Sequence, residues 1–352
     1  MDVLVKWHDH GGKKTALEKS QAVKQVIDEF AKGRPEVLKS FKKCHAWLTD
    51  GEKSEPLAAS FIKVQKVLPL RYAGRCGMHS KQKNMENAVL TDDFLKVLLD
   101  QLVRNKADED TLGALCRAVK YRDRQRMDFA ADVESELSQL VKDLEEAGDF
   151  WDGPEKMPTG RHSLCSAPQR FDSMLAGFRS IILCIRGVLL FLTKLGNEWA
   201  KSLLQLFMRP GFEAALAALG EFMEIGRKYV HRDEGHDPDK SNAINTWSDF
   251  LHMKKDFADM FAGEDGRPPR FAEKTYTRGY YQLMQKSLNS LGDEVCYRTA
   301  FGGETLYHRK YQTEEEEAAT LAVVMKRMQK VCEVYLAACE VDLDMAWDAA
   351  SS

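Results

Sequence analysis

Apolar and polar positions follow two rhythms along this chain, a short one before residue 86 and a helical one after it. Asp2–Trp7 (DVLVKW) alternates weakly and is rich in Val, which predicts a short strand. From Thr15 the spacing lengthens to three and four, with Val23, Val26, Ile27 and Phe30 on one face. Thr15-x-x-Glu18 is a capping box at its start, and Gly33 and Pro35 end it. Residues 44–49 predict a second strand, Pro56–Val67 a second helix broken by Pro69, and 70–76 a third strand. The order β-α-β-α-β with short connections argues for a small mixed or parallel sheet.

From Asn84 the strand signals fade. Thr91 is placed to cap a helix running to about Val103, and Val133, Leu137, Leu140, Val141 and Leu144 keep step in a long helix that stops at Gly148. Residues 147–169 are punctuated by Gly and Pro and form the best boundary in the chain. Helices are predicted over roughly 171–195, 197–208, 211–229 and 243–262. A final helix is capped by Thr313, and Leu321, Met325, Met328, Cys332, Tyr335 and Cys339 repeat along it in 4-3 spacing. Such a seam is usually core; the alternative is self-association through 313–345. The expected class is α+β, predominantly helical: a small α/β piece at 1–86, a helical hairpin or linker helices at 87–148, and a helical domain at 149–352.

Composition narrows the function classes. With 44% hydrophobic and 30% charged residues in 352, the chain reads as globular and not disordered. The net charge of −3 conceals an asymmetry, because residues 1–85 carry 17 Lys and Arg against 9 Asp and Glu. A basic piece on an acidic body favours a polyanion at one end. The plainer reading is that Lys24, Lys32, Lys39, Lys42 and Lys43 solvate helix faces and loops. Eight cysteines without a CxxC pair, and an acidic Met1-Asp2 start without a signal-peptide pattern, point to a reducing, intracellular address, nuclear or cytoplasmic. The apolar run Met174–Leu195 is interrupted by Arg179 and Arg186, so a buried helix is expected and no membrane partner.

Few residues carry candidate chemistry. Asp50 ends the second strand in Trp-Leu-Thr-Asp-Gly, where a carboxylate can hold a divalent cation, Mg or Mn, that activates water. Asp-Gly is equally a favoured turn pair. Cys76-x-x-His79 offers two ligands of a zinc type without a matching second pair. His231–Lys240 is a polar loop that misses the EF-hand spacing, and residues 117–126 (RAVKYRDRQR) make a basic turn.

Three landmarks stand in order: Asp50 at a strand end, Arg75-Cys76-Gly77-Met78-His79 at the next, and Arg170-Phe171 opening a long helical region. Together they resemble the hAT superfamily of DNA transposases. The resemblance implies an RNase H-like core at 1–86, with Asp50 as its second metal-binding carboxylate and Cys76 and His79 as the Cys-x-x-His motif. It also implies nucleic-acid contacts by Arg75, Arg170 and Phe171, with Phe171 standing where the family has a base-stacking Trp. The opening strand that carries the family's first Asp is missing, and no final catalytic Glu is identified. The implied protein is therefore transposase-derived, catalytically incomplete, and retains nucleic-acid (DNA) or protein binding. The alternatives are a helical scaffold or adaptor with no nucleic-acid role, its N-terminal charge scattered, and a small metal-dependent hydrolase using Asp50, Cys76 and His79.

Overall fold

The computed structural model describes residues 15–43, 46–49, 55–69, 72–75, 77–103, 115, 174–233, 243–261, 275–289 and 313–351. The chain divides into two compact units, one of residues 1–81 with 339–352 and the other of 82–338.

In the first unit, α1 (Ala16–Ala31) opens on the expected capping box. The Glu18 backbone N–H donates to Thr15 Oγ1 at 3.3 Å, and the Thr15 N–H donates to Glu18 Oε2 at 2.8 Å. Gly33, at φ +72°, turns the chain into α2 (Pro35–Phe41). Strand β1 (Ala46–Thr49), helix α3 (Glu55–Val64) and strand β2 (Tyr72–Arg75) follow, and the strands pair in parallel with Ala46 beside Tyr72 and Thr49 beside Arg75. The core is Ile27, Ala59, Ile62 and Leu68, with Val23, Phe41 and Val67 packed against it. The last helix of the chain also enters this unit, where Ser80 Oγ donates to Asp342 Oδ2 at 2.5 Å.

The α+β expectation with a β-α-β-α-β, RNase H-like core is overturned. Among the described residues the only sheet is this pair of four-residue strands, and everything else regular is helix. A ladder of that length, with Gly74 in one strand, cannot build a core of its own, so the apolar side chains of the unit are buried between helices. Asp2–Trp7, the expected first strand, lies outside the described residues.

Helix α4 (Gly77–Val89) is followed in the second unit by α5 (Asp93–Leu102). Asp92, and not Thr91, caps α5: its Oδ1 accepts from the N–H groups of Phe94 and Leu95, both at 3.0 Å, while the Thr91 hydroxyl donates back to the Ala88 carbonyl. The apolar run at 174–195 forms two helices, α6 (Met174–Leu183) and α7 (Ile185–Leu195), broken where Cys184 leaves helical geometry at φ −115°, ψ 26°. After α8 (Glu198–Phe207) comes α9 (Phe212–Asp233), the centre of the unit, with residues 211–223 all buried. It packs against α5, α6, α8, α10 (Ala243–Asp259) and α11 (Tyr276–Asn289). Helix α12 (Glu314–Ser351) closes the chain, and Thr313 Oγ1 accepts from the Glu316 N–H as its cap.

The 4-3 seam of α12 is spent on the chain's own core. Leu321, Met325, Met328, Cys332, Tyr335 and Cys339 are all buried, and the Tyr335 ring meets Phe222 and Phe257 edge-on at 5.5 and 5.7 Å. No helix among the described residues is long and apolar enough to cross a membrane.

Two carboxylates on α9, the buried Glu221 and the largely covered Glu224, fix its neighbours. Glu224 takes a bidentate Arg179 from α6 and the Tyr280 hydroxyl from α11, the latter at 2.9 Å. Burial disfavours the Arg179 cation, but Glu224 outweighs it and holds its pKa above the ordinary arginine value. Glu221 Oε2 accepts from the Thr277 N–H at 2.8 Å and from the Thr277 hydroxyl, capping α11 from another helix. Thr275 Oγ1 adds a local cap by accepting from the Arg278 N–H. Desolvation raises the Glu221 pKa, with the Thr277 hydrogen bonds acting the other way.

Candidate functional site

Asp50, Cys76, Arg170 and Phe171 lie outside the described residues, as do the basic turn 117–126 and most of 231–240. Arg75 is the last residue of β2, in register with Thr49. From Gly77 the Cys76-x-x-His79 segment is helix, since α4 begins there and places His79, half-buried, in its first turn. Among the described residues no three His, Cys, Asp or Glu side chains converge as metal ligands would.

What the structure does bring together is lysine. A cavity of about 640 Å³ opens in the first unit, and Lys24 from α1, Lys42 from just beyond α2, and Lys63 and Lys66 from the end of α3 all line it. All four are exposed, and none makes an ion pair among the described residues. Asp28 is the one carboxylate in the lining. Leu38, Phe41 and Val67 add apolar lining, and Phe41 and Val67 also pack against the unit's core. Lys42 and Lys63 sit at helix C-termini, where a cation offsets the negative end of the dipole. Part of the clustering is therefore a consequence of α2 and α3 ending at the same place.

Lys66 needs a further reason. The Val67 N–H donates to the Ile62 carbonyl at 3.0 Å and the Lys66 N–H to the Lys63 carbonyl at 3.1 Å, which is a Schellman turn. Its left-handed position is usually glycine, yet here it is Lys66, at φ +53°, the one non-glycine residue with positive φ among those described. A side chain held there costs about 1 kcal/mol. Lys66→Gly is expected to raise stability in urea by about 0.5–1 kcal/mol, while weakening any anion held by the cavity. A loss of stability would show that the conformation carries no strain.

Sequence reasoning singled out Lys24 and Lys42 but also Lys32, Lys39 and Lys43, which do not line the cavity, and it passed over Lys63 and Lys66. It ran the second helix on to Val67, whereas α3 ends at Val64 because Lys66 turns left-handed without the Gly or Asn that would signal it. No family model matches the chain, and no curated protein or solved structure matches it.

Proposed function

We propose that this protein is a helical nucleic-acid-binding protein that holds phosphates in the lysine-lined cavity of its first unit. The observation that carries the reading is the convergence of Lys24, Lys42, Lys63 and Lys66 from three segments of chain with only Asp28 opposing them. A charge of one sign in a concave surface raises the local concentration of a polyanion. The charge excess of residues 1–85 is thereby concentrated in part, where a scaffold with no nucleic-acid role predicts it scattered. The order of the hAT-like motifs, taken without the RNase H-like core, points the same way and makes the chain a transposase-derived binder. No catalytic step is assigned to it.

The test is binding of a labelled DNA duplex and a labelled single strand over a salt series. Affinity in the micromolar range or better, falling steeply with salt, is expected. In Lys24→Gln/Lys63→Gln/Lys66→Gln the slope of log affinity against log salt is expected to shrink by about 0.7–0.9 for each lysine that meets a phosphate. Absence of binding at low salt, or an unchanged slope in the triple variant, would return the protein to the scaffold reading.

A further inference from the structure

We infer that the lysine cavity is a seat for single-stranded nucleic acid, with one base placed against Phe41 while the lysines hold the phosphates on its strand. The inference rests on the phosphate-binding reading and concerns what kind of strand the cavity takes.

A site for bare phosphate needs only charge, yet this one is also lined by Phe41, Leu38 and Val67. Leu38 is 39% exposed, so apolar surface is presented to whatever enters. A duplex keeps its base faces stacked inside and offers a protein mainly phosphate and groove edges. A single strand offers both parts at once, a flat π-face and the charged backbone beside it, and aromatic side chains next to lysines are how sequence-tolerant single-strand sites are built. The cavity's size agrees. At about 640 Å³, and open on one side, it has room for an organic group.

The shape separates this occupant from a membrane. Binding to a lipid surface requires apolar side chains that project into the acyl boundary. Here the ring and its aliphatic neighbours line a concavity, and Phe41 is half-buried against the unit's core cluster. The distribution of charge separates it from a free nucleotide. The lysines come from α1, from the residue after α2, and from the last turn of α3 with the turn that follows it, so the charge reaches the cavity from three segments and suits a chain of phosphates.

Fluorescence anisotropy on the full chain tests the idea with four probes: a single-stranded oligonucleotide, a duplex of the same length, heparin as a polyanion without bases, and AMP as a competitor. The wild-type protein is expected to prefer the single strand to the duplex by about tenfold, and Phe41→Leu, which keeps apolar volume over the core, to lose about that factor for the single strand alone. Heparin binding and the salt slope are expected to stay unchanged in Phe41→Leu. Because Phe41 also packs on the core, Phe41→Tyr serves as the second variant; it keeps a π-face and is expected to retain single-strand affinity. Equal affinity for single strand and duplex, a Phe41→Leu protein that folds and binds as wild type, or competition by AMP as strong as by the oligonucleotide would each overturn the base seat. If lysine substitutions still flatten the salt slope in that case, the phosphate reading survives alone. If they do not, it is that reading which has failed.

Discussion

Arg179→Met is expected to lower the unfolding free energy by about 3 kcal/mol, measured by urea denaturation followed by circular dichroism. The Arg179 side chain is 28% exposed, but the Glu224 side chain it grips is only 9% exposed, and a methionine offers that carboxylate nothing. Removing one partner of such a pair leaves a largely covered charge whose one remaining donor among the described residues is the Tyr280 hydroxyl. The partial exposure of Arg179 places the cost at the low end for buried pairs. Arg179→Met/Glu224→Leu is expected to recover at least half of the loss, since an apolar pair of similar volume does not need the compensation a lone carboxylate needs. If the double variant is as unstable as the sum of both single changes, the two residues are not coupled and the interpretation is wrong.

The second large effect concerns Glu221. Glu221→Ala is expected to cost about 3 kcal/mol, because it strips the Thr277 N–H and hydroxyl of their acceptor inside the unit and leaves a void on α9. Glu221→Gln isolates the charge. An unfolded glutamate titrates near pH 4.3, and burial raises the native value above that. Below pH 4.3 both states hold the proton, and the group's contribution to stability is fully present. As pH rises through the native value, the folded protein must ionise a buried carboxyl, and that contribution is lost. Glu221→Gln does not titrate, so its stability relative to wild type is expected to improve from pH 4 to pH 8. A difference that stays flat over that range would mean that the Thr277 hydrogen bonds cancel desolvation, and one that runs the other way that they outweigh it.

Local signals in the sequence were legible where the physics is local. The Thr15 capping box, the Thr313 cap and the buried seam of α12 all lie within a few residues of the side chains that create them. The same rules misplace an end by one residue when two candidates adjoin, as with Thr91 and Asp92. They also miss the break at Cys184, which no Gly or Pro announces. Short apolar segments such as 44–49 and 70–76 do look like strands, and four residues of each pair; what the sequence could not show is that no larger sheet among the described residues would receive them. The cavity was legible only as excess charge, since its walls meet through the packing of α1 against α2 and α3. Glu221 was not legible at all, because the helix end it caps lies 56 residues further along.

The composition of the first unit sets an order of events for the newly made chain. Residues 1–81 share that unit with 339–352, and the bond from Ser80 to Asp342 closes a loop of 262 residues. Such contacts are slow to find and come late in folding. The lysine-bearing helices α1, α2 and α3 pack on one another around a core that takes nothing from residues 339–352, so it is the contact with α12, and not that core, that waits for the long loop to close. Loss of the Asp342 carboxylate would therefore be felt at Ser80 and would leave the packing of α1, α2 and α3 in place.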